Sequence, residues 1–195
     1  MHLPPEDLAR TLAAARSGDG AALEALWRAH QPRLLRFLRG RGVVDAEDVA
    51  TQVWIDAARN LGRFRGDGDD FRRWLFTIAH RRVVDGHRLA ARRRAALSVE
   101  STRVEAAPGA DEEFEAHDSL TRAVTLVARL PAQMRDVVLL RIVGDLSVAD
   151  TAAVMGLRPG HVRVLMHRAL VRLEREVASR DAEVVTLAVR ESMKG

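Results

Sequence analysis

Arginine dominates the residues of this chain that could do chemistry. Of its 31 basic residues only Lys194 is a lysine. A guanidinium presents a planar fork of donors that fits phosphate and guanine better than an ammonium does. The arginines cluster. Arg72, Arg73, Arg81, Arg82, Arg88, Arg92, Arg93 and Arg94 stud one stretch, and Arg158, Arg163 and Arg168 another. Trp54 and Trp74 sit in apolar runs and read as core, although Trp74 lies on the arginine-rich stretch and could stack on an unpaired base. This is recognition chemistry. No Gly-x-Ser-x-Gly, Walker loop or His-Glu-x-x-His occurs. With no cysteine, thiol nucleophiles, zinc fingers and iron–sulfur clusters are excluded. Asp67, Asp69 and Asp70 lack the EF-hand spacing and read as a turn. His161 and His167, six apart, do not share a helix face, and His80 and His87 read as solvated or phosphate-facing. The expectation is a protein with no catalytic centre, no metal and no cofactor.

The elements that must position these residues are helices. In 195 residues, 47% are hydrophobic, 30% charged and only 4% aromatic, which suits a folded helical chain and not an aromatic-rich sandwich. The charge is divided: residues 33–94 carry +7, residues 95–120 carry −6 and residues 121–180 carry +5. The acidic stretch has Pro108-Gly109 at its centre and reads as a flexible linker between two small basic domains. The fold expected is all-α, with domains at 1–94 and 119–178, a linker at 95–118 and a tail of unknown role at 179–195. No stretch is apolar enough for a membrane span, and residues 1–16 lack a signal-peptide core, so a cytoplasmic location is expected.

Apolar spacing places the helices. Leu8, Leu12 and Ala15 define the first, closed by Ser17-Gly18-Asp19-Gly20. Ala22–Arg39 is the second, bent or broken at Pro32. Asp45 and Asp48 suggest a capping box for a third that buries Val49, Val53, Ala57 and Leu61. Residues 65–70 form a loop, and Phe71–Arg94 a long helix. In the second domain Leu120, Val124, Val127 and Leu130 make a stripe, and Pro131 opens a helix as its first residue. Ser147 and Asp150 form a capping box for a short helix ending at Gly156. The last helix then buries Val162, Met166, Leu170, Leu173 and Val177. The last two helices are a helix-turn-helix, which aims the start of the last helix into a major groove. Arg158, His161, Arg163, Val164, Leu165, His167 and Arg168 lie on or near that face.

Two longer motifs carry a resemblance. Asp45-Ala-Glu-Asp-Val-Ala-Thr-Gln-Val-Trp-Ile-Asp-Ala, then Leu61-Gly-Arg-Phe-Arg-Gly-Asp and Phe71-Arg-Arg-Trp-Leu-Phe-Thr-Ile-Ala, resemble region 2 of bacterial sigma-70-family sigma factors of the extracytoplasmic-function (ECF) group. Leu130-Pro-Ala-Gln-Met-Arg-Asp-Val-Val-Leu-Leu-Arg and Val162-Arg-Val-Leu-Met-His-Arg-Ala resemble region 4. The resemblance covers about residues 5–94 and 118–178, in the family's order.

It implies a sigma factor that binds core RNA polymerase and directs promoter-specific initiation. The docking helix would place Asp45, Asp48, Gln52 and Asp56 toward the clamp helices of β′. The −10 element would be melted and read by Asn60, Phe64, Arg65, Trp74, Ile78, Arg81, Arg82 and Arg88. Asn60, Phe64, Ile78 and Arg81 match the family's pocket for a flipped-out base, with the 64–71 loop covering it. Region 4 would read the −35 element as duplex and touch the β flap. Promoter DNA and core polymerase are the implied partners, and an anti-sigma protein is a further candidate because many members are held inactive by one. The sequence departs from the family at four places. Thr51-Gln52 stands for the usual Gln-Glu, and Arg81 stands for a frequent Asn, which suggests an altered −10 preference. Val164 and Leu165 stand for Ser and Arg, which favours contact with a thymine methyl. A simple helix-turn-helix regulator is the alternative, and it leaves the 45–94 motif without a role.

Overall fold

In the computed structural model the described residues are 5–97 and 126–192, with side chains placed for 7–93 and 126–178. The acidic linker, Leu120, Val124 and the side chains of the tail lie outside them. The described elements are all helical: α1 (Pro5–Arg16), α2 (Gly20–Gly40), α3 (Ala46–Leu61), α4 (Gly68–Leu97), α5 (Ala132–Val138), a π-helical turn (Leu139–Val143), α6 (Val148–Met155) and α7 (Pro159–Ser192).

The first four helices close around apolar faces. Leu12 from α1, Leu26, Leu34, Phe37 and Leu38 from α2, Val53 and Ala57 from α3, and Phe71, Leu75 and Phe76 from α4 are buried together. Phe71 is the hub. Its ring lies 5.4 Å from His30, 5.8 Å from Phe64, 5.8 Å from Trp74 and 6.5 Å from Trp54. Trp54 is core, as its apolar run suggests, and its indole N–H donates to Gln31 Oε1 at 2.8 Å. Local polar groups set the helix starts. The amides of Ala21 and Ala22 donate to Asp19 Oδ1, and those of Asp69 and Asp70 donate to Asp67 Oδ1. Asp67, Asp69 and Asp70 are thus a turn and a helix start, so α4 begins three residues before Phe71, inside the predicted loop.

Three further expectations need correction. Of the bend or break expected at Pro32, the break is overturned, since Pro32 lies inside a continuous α2. The hydrogen bond it removes is offset because Leu26, Leu34, Phe37 and Leu38, on both sides of it, are fully buried. Asp45 holds the N-cap position of α3 but makes no side-chain cap hydrogen bond. Pro131 precedes α5 as its cap residue, with its carbonyl accepting from the Arg135 amide at 3.0 Å.

The C-terminal helices build a second, smaller core from Val137, Ala152, Val162 and Leu165, with Leu130, Val138 and Ala169 alongside. The capping box is present: the Asp150 amide donates to Ser147 Oγ at 3.0 Å, and that hydroxyl donates to Asp150 Oδ2 at 2.5 Å. Gly156 ends α6 in the left-handed region (φ 66°), where a side chain is strained. Ser147→Ala should therefore lower stability by about 1 kcal/mol, read as a lower urea midpoint with unchanged slope.

The two modules are packed against each other, which no local pattern announces. Leu139, Leu140, Leu146 and Val154 join the apolar cluster of the first four helices. Gly40 lets Leu139 pack tightly on α2, since a Cβ there would stand 2.6 Å from Leu139 Cδ2. At the seam the Arg41 guanidinium pairs with the Asp136 carboxylate, both buried. His80 faces this pair and is not solvated, correcting the expectation. Its Nδ1 is 3.9 Å from Asp136 Oδ2, and burial together with the Arg41 charge pushes its pKa down to about 4.

Candidate nucleic-acid interface

The residues predicted to contact −10 DNA converge only in part. An open groove of about 840 Å³ runs between α3 and α4. Phe64, Trp74, Ile78 and Leu89 supply its apolar wall, and Asn60, Arg63, Arg81 and Arg82 its polar rim. Asn60, Phe64, Ile78 and Arg81 thus meet in one place although 21 residues separate the first from the last. The helices explain it. Asn60 lies in the last turn of α3, while Trp74, Ile78, Arg81, Arg82, Asp85 and Leu89 recur at spacings of three and four along one face of α4. Arg63, Asp85, Gly86 and Leu89 also line the groove and were missed. Extending the 74-78-81-85 register by one turn of α4 reaches Leu89.

Phe64 is mostly buried, 8% exposed, with its ring 5.1 Å from Trp74 and 5.8 Å from Phe71. It forms the groove floor by holding Trp74, which is half-buried. Arg65 and Arg88 are not brought in among the lining residues. Arg65 folds back, donating to the carbonyls of Gly62 and Phe64 at 2.9 Å each, and Arg88 is 3.4 Å from Asp85 on the exposed surface.

On the outer side of α3, Asp45, Asp48 and Gln52 are exposed. Asp56 departs from them. Arg82 Nε donates to Asp56 Oδ2 at 2.7 Å, and the carboxylate lies in the groove wall, half-buried. Asn60 donates to the Asp56 carbonyl at 2.8 Å. Asp56 therefore belongs with the groove. Beside Asp48, Glu47 pairs with Arg39, which holds its carboxyl below the usual range.

In the helix-turn-helix, Arg158, His161, Arg163, Val164, His167 and Arg168 are exposed at the start of α7. Leu165 is the correction. It is 5% exposed, in the core with Val137, Ala152 and Val162, and cannot reach a groove edge. The buried stripe of α7 is Val162, Leu165 and Ala169, whereas Leu170 and Val177 are more than 40% exposed. A second shallow recess, about 330 Å³, lies between α5 and α7 and is lined by Met134, His167, Arg168, Val171, Arg172 and Arg175. Arg172 and Arg175 were missed. Their signal is the i, i+4, i+7 series they form with Arg168.

Among the described residues no group of three His, Asp or Glu could hold a metal ion, and no helix is long and apolar enough to cross a membrane. Comparison with known proteins matches each module to a family. Residues 26–94 match Sigma-70 region 2, and residues 120–173 match Sigma-70, region 4. The ECF RNA polymerase sigma factor SigD of Mycobacterium tuberculosis is 37% identical over 186 residues, covering 92% of this chain and 88% of the relative. The ECF RNA polymerase sigma factor BldN of Streptomyces coelicolor is 34% identical over 169 residues, covering 83% of this chain and 62% of the relative. Among solved structures, CnrH in complex with the cytosolic domain of CnrY superposes with a TM-score of 0.63 at 25% identity, over 88% of this chain and 97% of that one. Two family matches in the family's order and homology along nearly the whole chain lead to one conclusion: the protein belongs to the sigma-70 family of RNA polymerase sigma factors, in its ECF group.

Proposed function

We propose that the α3–α4 groove captures unpaired bases of the −10 element, and that the start of α7 reads the −35 element as duplex. The exposed face of Asp45, Asp48 and Gln52 docks on the β′ clamp helices. The observation that carries this reading is the groove. It joins an apolar wall, which replaces the stacking a melted base loses, to four basic or amide groups that meet its edges and phosphates. Domain limits at residues 94, 119 and 178 follow, with the linker spanning polymerase between them and region 4 touching the β flap. The protein works by binding, without a catalytic centre, in the compartment that holds the polymerase. Asp56, Arg63 and Arg82 join the −10 set, and Leu165 leaves the −35 set. At −35, Arg163 and Arg168 lie about 140° apart around α7 and cannot both face one base step. Arg163 grips phosphate, and Arg168 or His167 approaches base edges. An anti-sigma protein covering these faces fits as a regulator, given that the relative CnrH was solved bound to the cytosolic domain of CnrY.

Docking is tested by Asp48→Arg. The side chain is exposed, so the substitution should change stability by less than about 0.5 kcal/mol. Affinity for core polymerase should fall about fivefold or more, the cost of an interface residue that counts. Unchanged affinity in a binding titration would remove this face from the interface.

A further inference from the structure

The groove between α3 and α4 holds an acid where a plain phosphate binder would hold none. Arg63, Arg81 and Arg82 line it with positive charge, yet Asp56 stands among them, half-buried in the wall. A carboxylate repels the phosphate backbone, so an acid on such a face weakens sequence-independent binding. Stability does not account for it either. The side chains of Arg82 and Asp56 are 37% and 30% exposed, and ion pairs so placed add little.

The pairing leaves one oxygen over. Arg82 Nε and Nη2 lie 2.7 and 2.5 Å from the same atom, Asp56 Oδ2. Asp56 Oδ1 accepts from no group among the described residues. The guanidinium therefore fixes the carboxylate on one side and leaves a charged acceptor on the other. Asn60, one turn further along α3, donates its amide N–H to the Asp56 carbonyl at 2.8 Å, so its side-chain oxygen also remains an acceptor.

We propose that Asp56 is a specificity-determining residue of the groove: it selects an unpaired base that carries an exocyclic amine and rejects thymine. The proposal rests on the reading above that the groove captures an unpaired base of the −10 element. The base edges decide it. The amines of cytosine, adenine and guanine project N–H donors beyond the ring. A single such donor matches a lone charged acceptor, and hydrogen bonds to a carboxylate are among the stronger ones. Guanine could offer two parallel donors, but Arg82 already holds Oδ2, so the pair gives guanine no advantage. Thymine has only N3–H, recessed between O2 and O4. A carboxylate brought up to that edge meets carbonyl oxygens, which leaves acceptor facing acceptor with no proton between them.

Holoenzyme assembled from core RNA polymerase and the full chain is used to select fork DNAs that share one duplex and carry a short random single strand. The retained strands are sequenced. At one position the parent should deplete thymine about tenfold or more against the best amine-bearing base, the size of a hydrogen bond to a charged group. Asp56→Asn presents an N–H as well as an oxygen, and should admit thymine at that position while leaving the others unchanged. Asp56→Ala should level the bases there. Both variants should fold, because Asp56 is partly exposed. Replacing the preferred base by its analogue without the amine (2-pyrimidinone for cytosine, purine for adenine) should cost the parent about tenfold and leave Asp56→Ala unaffected. A residue that only held α4 on α3 would lower retention of every strand alike and leave base ratios untouched. That result, or a parent that accepts thymine at every selected position, would overturn the assignment. Strands retained with no preferred position at all would instead count against the groove reading itself.

Discussion

Phe71→Ala should destabilise the N-terminal module by about 3–5 kcal/mol, the range for emptying a fully buried aromatic site. The ring is 0% exposed and touches aromatic rings from α2, α3 and the 62–67 loop. Its removal leaves a cavity that four neighbouring rings cannot collapse into without losing contacts with one another. The loss is a large share of the 5–15 kcal/mol that holds an ordinary domain. Urea unfolding followed by circular dichroism measures it. The groove should fail with the core, because Phe64 and Trp74 both rest on this ring. A loss under 1 kcal/mol would mean that Phe71 is not the hub the packing indicates.

Trp74→Ala is expected to have the larger functional effect. Trp74 is half-buried, lines the groove and presents a ring beside Asn60 and Arg81. Stacking on an aromatic is worth roughly 1–3 kcal/mol per base. At about 1.4 kcal/mol per factor of ten, open complex should fall about 5–150-fold. Permanganate footprinting of holoenzyme on a promoter measures this, at a temperature where the variant is folded. Trp74→Phe keeps a π-face and should recover most of the signal. Equal opening by Trp74→Ala would make Trp74 a packing residue only.

The helices were legible because apolar residues recur at spacings that a helix puts on one side. α1, α3, α4 and α6 lie close to where Leu12, Val53, Leu75 and Ala152 place them. Periodicity fails where several stripes are available. On α7 the series Val162, Met166, Leu170 and Leu173 is as good a helical stripe as Val162, Leu165 and Ala169. Only the presence of Val137 and Ala152 opposite chooses the second, so Leu165 was assigned to DNA. Pairings distant in sequence leave no local mark. Nothing near Arg41 announces Asp136, and nothing near Asp56 announces Arg82. The same blindness hid the burial of His80. The groove residues are legible through the family motif, and Asp85 and Leu89 lie beyond it on the same face of the helix expected over residues 71–94, where the motif assigns them no role.

Transcription from defined templates tests the central claim most directly. Core RNA polymerase from the source organism, with and without this chain, is given fragments of that organism's DNA, and the 5′ ends of the transcripts are mapped. The account predicts discrete start sites that depend on the chain, with shared elements near −10 and −35 upstream. Substitutions in the groove should abolish opening at those sites, while binding of the chain to core polymerase persists. If the chain alone binds specific duplex sites and adds no start site to core polymerase, the account is contradicted and the simple helix-turn-helix regulator takes its place.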